Sequence, residues 1–389
     1  MNISWGSWDV RVYAAEAWVS LALRFANDHP EIIDRLEQML VDPVPSVRLQ
    51  VVHNLQVLGD AAPDRMWALG ERVVSQEANC ELVASYLCYA LRPFSRLDPE
   101  RCERMLSIVK ARLFEGLDYK PQRDHWLLES IGGWVADLYV RQGRALARAW
   151  LAEWSIDPTR FGELLNYFTS SLREAFFLRY QSGSIVDDLA ICSRAQDGLA
   201  VILKSATSIS TEAYEVWKSN ANEADKEAAQ QRYVSAERVI THAMDQFYFG
   251  SGAYADNEDS RPGLPDDAAK TKFLTDYSDE LLQLAGAREP ATLHHLIELY
   301  EFLIPGDPLG VFETIHSILF GRGEEQGYHY ESLAISVVVR IVQLYIADHR
   351  GIFEDEGRRA KLVSILQLFS EVGWTEALTL LYDLPDLLR

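Results

Sequence analysis

An internal echo sets the first limit on what this chain can fold into. Residues 9–18, "DVRVYAAEAW", and residues 46–55, "SVRLQVVHNL", align without a gap, start to start 37 residues apart. The alignment pairs Val10 with Val47, Arg11 with Arg48, Val12 with Leu49, Ala14 with Val51, Ala15 with Val52 and Trp18 with Leu55. A period of about 20 to 50 residues marks stacked units, each too small to bury its apolar face alone. A fainter third copy, "ELVASYLCYAL", occupies 81–91.

The chemistry around the second copy explains why it forms a unit. Asp42-Pro43 and Pro45 stop a helix near Leu40, because proline lacks the amide and disfavours helical geometry in the residue before it. Ser46 is the expected N-cap, and Val47, Val51, Leu55 and Leu58, with Val52 beside them, lay one apolar stripe that ends at Gly59. Upstream, Ile32, Ile33, Leu36, Met39 and Leu40 share a face of "HPEIIDRLEQML", so two such helices pair as an antiparallel hairpin.

On Asp42-Pro43, Val47-Arg48, Val51, Val52 and Leu55, with Val10-Arg11, Ala14 and Ala15 as the second copy, the sequence resembles the HEAT-repeat family of α-solenoids, most clearly over residues 9–91. The resemblance implies an all-α chain built as a right-handed, HEAT- or armadillo-like solenoid of stacked antiparallel hairpins. It also implies a structural role for Asp42 and Arg48, as ladder residues within or between repeats.

Beyond residue 115 helical patterns continue without the motif. Trp126, Leu127, Ile131, Trp134, Leu138 and Tyr139 recur at helical spacing, with Gly132-Gly133 marking a close helix contact or a kink. Residues 211–249 read as long, charged hairpin helices, and the β-branched run 336–342 as helix, because its flanks are helical. The stretch 250–270, rich in Gly, Pro, Asp and Asn, is a flexible loop or hinge. The expected organisation is therefore HEAT-like repeats over 1–115, a helical-hairpin continuation over 116–249, the loop at 250–270 and a C-terminal helical segment over 271–389. Pro385 is expected to follow the last helix.

Composition bears on function mainly through charge. A formal net charge of −21 repels phosphate backbones at long range, which argues against non-specific nucleic-acid binding. A local reversal lies at Arg141, Arg144 and Arg148, which at i, i+3 and i+7 would share one helix face, with further basic residues from Arg96 to Arg112. These positions serve either a nucleic-acid-binding solenoid or a solvated face with intrahelical pairs. Cys80, Cys88, Cys102 and Cys192 form no C-x-x-C pair, so reduced thiols in a cytoplasmic protein are expected. No secretory signal and no stretch of about twenty uncharged apolar residues is present.

Reactive motifs are sparse. The sequence holds no G-x-x-x-x-G-K-[ST], no H-E-x-x-H and no G-x-S-x-G. His294, His295 and Glu298 could hold a metal from one helix, or could be satisfied histidines on an amphipathic one. Asp187-Asp188 lacks the further acid of aspartate-rich prenyl-transfer helices, and Asp266-Asp267 fits a helix start. Most tryptophans, Trp126 included, sit at apolar helical positions and are expected in the core. Trp5 and Trp8 precede the first helix as interaction candidates.

The expected function is that of a non-catalytic scaffold or sensor that binds a protein over an extended helical surface, with no catalytic, cofactor or metal residues and no cofactor. Fold analogy places it in a larger bacterial signalling or defence complex. The expected partners are a basic protein surface, an adjoining domain or subunit, or a second copy of the chain, with no membrane. Because the chain starts almost on a repeat helix, it is expected to be a fragment or subunit that continues into, or docks onto, another polypeptide. The competing readings are an all-α enzyme with a metal or small-molecule site near 250–298, and the nucleic-acid-binding solenoid.

Overall fold

The computed structural model describes residues 9–115, 117, 119–120, 124–181, 183–254 and 263–387. Among these residues the chain is all-helical, and no strand occurs. Contacts divide it into two compact units, residues 1–138 and 139–389.

The first unit carries α1 (Val10–Phe25), α2 (Glu31–Met39), α3 (Pro45–His53), α4 (Pro63–Gln76), α5 (Cys80–Ser85), α6 (Pro99–Glu115) and α7 (His125–Val140), whose last two residues belong to the second unit. α1 packs on α2 and on α3, α3 on α5, and α4 on α6, so α1, α3 and α5 lie side by side in turn, as do α4 and α6. Val12 and Ala15 of α1 form a buried cluster with Val47 of α3. Burying each of the two valines contributes roughly 1.5–3 kcal/mol relative to exposure, and the single methyl of Ala15 less. Val10, however, is 78% exposed while its aligned partner Val47 is buried. Val10 is the first residue of α1, capped by Asp9, whereas Val47 lies inside the first turn of α3.

The start and end of α3 both differ from the expectation. Pro45 is its first residue and Val44 its N-cap, not Ser46. Proline favours that position, where its missing N–H has no helical partner to lose. The helix also stops before Gly59: Asn54 leaves helical geometry, bonds back to the Gln50 carbonyl at 2.8 Å, and a 3₁₀ turn follows over Leu55–Leu58. The third copy forms α5, capped by Asn79 on the N–H groups of Glu81 and Leu82, then widens into a π turn over Tyr86–Leu91. α7 runs through Gly132-Gly133 without interruption, and its Trp134 indole donates to the Leu87 carbonyl at 2.8 Å.

The second unit contains α8 (Ala145–Ser155), α9 (Pro158–Ser170), α10 (Arg173–Phe177), α11 (Val186–Lys218) and α12 (Glu223–Ser251). It continues with α13 (Asp267–Asp276), α14 (Ser278–Leu284), α15 (Pro290–Leu303), α16 (Pro308–Ile318), α17 (Ser332–Asp348), α18 (Glu356–Glu371) and α19 (Thr375–Leu387). α11 and α12, 33 and 29 residues long, form a hairpin across a short turn at Ser219–Asn222. Both helices bury small residues, Ala195, Gly198, Ala206 and Ala213 on α11 and Ala229, Ala236 and Ala243 on α12. α12 packs further on α9 and α15, and α15 on α17.

The 250–270 stretch lies inside this unit. Gly252, at φ 101°, ends α12 in left-handed geometry that suits glycine. The N–H groups of Gly263 and Leu264 donate to the carbonyls of Gly250 and Ser251 at 3.1 and 3.2 Å, so the described ends of the segment are joined to each other. Pro385 lies within α19 rather than after it, two residues from the helix end.

Candidate functional site

In the first unit an arginine–carboxylate ladder grows out of the repeated turns. Asp42 sits two residues before the N-cap of α3, and its Oδ1 accepts the Val44 N–H at 2.8 Å. Glu77 holds the same place before α5, with its Oε1 accepting the Asn79 N–H at 3.0 Å. Each acid therefore begins as a local cap for the helix it precedes, and each also receives an arginine from the helix packed alongside. Arg11 of α1 reaches Asp42 at 3.5 Å while holding Asp9 at 2.8 Å. Arg48 of α3 grips Glu77 with two bonds, Nε to Oε2 at 2.8 Å and Nη2 to Oε1 at 3.0 Å, and gives Nη1 to the Asp42 carbonyl at 2.8 Å. Arg112 of α6 then donates to the main-chain carbonyls of Val74 and Glu77.

The rungs differ in strength for a physical reason. Arg11 is about half exposed and solvent screens its pairs, so they contribute little. Arg48 and Glu77 are 17% and 10% exposed, and removing either leaves a buried charge without its partner. A shallow cleft of about 360 Å³ opens beside them, with Val41, Pro43, Val52 and Arg72 among its walls.

The basic residues expected to share one helix face are separated. α7 ends at Val140, Gly143 turns the chain at φ 65°, Arg144 is the N-cap of α8, and only Arg148 lies inside a helix. Regular i, i+3, i+7 spacing across 141–148 therefore has no geometrical meaning, because the left-handed glycine resets the helix. Arg194 of α11 serves this turn, donating to the carbonyls of Val140 and Arg141. Trp5 and Trp8 lie outside the described residues. Trp126, expected in the core, is 57% exposed, whereas Trp134, Trp150 and Trp154 are buried.

His294 and His295 of α15 diverge rather than converge. The Nδ1 of His294 lies 3.1 Å from the Tyr328 hydroxyl, and its Nε2 is 3.7 Å from Glu298, a carboxylate also 3.5 Å from Arg340. Burial lowers the His294 imidazole below its ordinary value, with Glu298 opposing. His295 lies 3.0 Å from Asp245 and stacks flat on Tyr248, ring centres 4.4 Å apart. Among the described residues no three His, Cys, Asp or Glu side chains are placed to hold a metal ion. Asp187 and Asp188 lie in the first turn of α11, where Asp188 accepts the Ile185 N–H at 3.0 Å, and Asp266 caps α13 through the Ala269 N–H at 2.8 Å.

No motif in the sequence announces the polar network around Asp276. Asp276, at the end of α13, takes Tyr180 at 2.9 Å, Arg179 at 3.3 Å and Lys272 at 2.7 Å, while Gln196 of α11 donates to its carbonyl at 2.6 Å. Burial alone would raise this carboxyl, but the donors from Lys272 and Tyr180 hold it below its ordinary value. The aromatic rings of Phe176, Phe247, Phe273 and Tyr277 pack beside it. Glu237 of α12, 2% exposed, accepts the Ser210 hydroxyl and the Arg288 N–H, and burial raises its carboxyl. Only Lys272–Asp276, at i and i+4, left a local signal; the Arg179, Tyr180 and Gln196 donors come from about 80 to 97 residues away.

The chain matches no family model, no curated protein and no solved structure.

Proposed function

We propose that this chain is a HEAT-like repeat scaffold that binds a protein partner over exposed helix faces, with repeat stacking strongest over α1 to α6. The observation that supports this reading is the ladder: an acid before each of α3 and α5 caps its own helix and takes an arginine from the helix two places earlier, α1 and α3 respectively. Such a device fixes one unit against the next at a constant offset, which is how stacked hairpins present a long row of side chains. The alternation of contacts, α1 on α3, α3 on α5 and α4 on α6, supports the same stacking. A net charge of −21 would steer a basic polypeptide toward that row. A HEAT-type relation and a place in a multi-protein assembly follow as parts of this proposal.

The test is capture of the tagged chain from its native cells at moderate and at high salt. The expected result is a stoichiometric basic polypeptide retained at moderate salt and weakened at high salt. Recovery of the chain by itself, with a tightly bound small molecule or metal in its native mass spectrum, would overturn the reading.

A further inference from the structure

A groove in the second unit combines apolar walls with acidic residues. It holds about 380 Å³ between α13, α14, α15 and α16, with Leu274, Leu282, Val311 and Ile318 among its apolar walls. Leu282 is 73% exposed although the adjacent Leu281 is buried, so the rim keeps a large side chain in water. The charged residues lining it are Asp279 and Asp307, with no lysine or arginine among the described lining residues. Asp307 is fixed, its Oδ1 accepting the Gly310 N–H at 3.0 Å, and Asp279 is exposed in the first turn of α14.

We propose that this groove binds a basic amphipathic helix of a partner protein. The apolar stripe of the helix seats on Leu282 and Leu274, above a floor that includes the buried Val311 and Ile318, and its Lys or Arg residues meet Asp279 and Asp307. Grooves of this kind take a helix through apolar anchors at i, i+4 and i+7, while rim charges select the sign of the ligand. An acidic helix would meet two carboxylates and the field of the whole chain, so the occupant is basic.

The assignment rests on the scaffold reading, and the two can fail separately. The experiment is a fluorescence-anisotropy titration of the full chain with a labelled designed helix of about 14 residues, the length at which such helices become marginally stable. It carries Leu at i, i+4 and i+7 and Lys elsewhere; its twin carries Glu for Lys. The expected result is saturable binding of the basic peptide and about tenfold or weaker binding of the twin. Leu282→Asp separates groove binding from general attraction, because an added acid strengthens a purely electrostatic contact and weakens an apolar one. Loss of about tenfold in both Leu282→Asp and Asp279→Lys supports the groove. Ser317→Trp, which fills it from α16, should also abolish binding while circular dichroism and the melting temperature stay those of the native chain.

Unchanged or tighter binding in Leu282→Asp, equal binding of the twin, or no saturable binding would each overturn the groove. A concentration-dependent dimer dissolved by Leu282→Asp would overturn it too, giving the groove to a second copy. Peptide failure alongside a captured basic partner overturns the groove and leaves the scaffold. Peptide binding by a chain that is recovered by itself with a tightly bound small molecule or metal supports the groove and overturns the scaffold.

Discussion

At the scale of the residue, a few charged side chains carry consequences out of proportion to their number. Arg48 is held on two sides, by the Glu77 carboxylate and by the Asp42 carbonyl. Arg48→Ala should cost about 3 kcal/mol in urea unfolding, because it strands a buried carboxylate. Arg48→Lys should recover less than half of that, since an ammonium cannot match the two-pronged geometry. A loss below about 1 kcal/mol for Arg48→Ala would show the pair to be screened after all. Asp276 gives a test with a pH signature. Its folded carboxyl is lowered from an unfolded value of about 3.9. The stabilisation is therefore complete above that value and is lost as pH falls through the lower, folded one. Asp276→Asn should cost about 2 kcal/mol near neutral pH, and the gap to the native chain should close in strong acid. A gap that stays constant with pH would remove the charge from the explanation.

At the scale of the element, the turns were more legible than the contacts between helices. Asp42-Pro43 announced a helix boundary because proline acts on its immediate neighbours, and the boundary is there. The spacing of Arg141, Arg144 and Arg148 misled because periodicity assumes an unbroken helix, and Gly143 breaks it. Gly70 shows what a helix pattern cannot reveal. Alanine is the better helix former there by about 1 kcal/mol, yet a Cβ at Gly70 would lie 2.1 Å from the buried Tyr86 hydroxyl. Gly70→Ala should therefore destabilise the chain by roughly 1–3 kcal/mol, measured by thermal unfolding. A stabilising effect would mean that Tyr86 can swing clear.

At the scale of the whole molecule, the two compact units predict unfolding that is not two-state. Leu87→Ala in the first and Leu203→Ala in the second, both at fully buried positions, should each cost about 2–5 kcal/mol. They are expected to move different calorimetric transitions; a single transition shifted alike by both would refute the division. Among the described residues no helix is long and apolar enough to cross a membrane. The sequence by itself determined the all-helical class, the strong net charge and the repeated turn before α3, because propensity, period and capping act over a few neighbouring residues. Only the tertiary structure decided that Glu77 is the counterpart of Asp42, that His294 and His295 turn to different partners, and that Arg179, Tyr180 and Gln196 converge on Asp276. Those pairings join side chains tens of residues apart, and their energy depends on burial and distance, which no local pattern encodes.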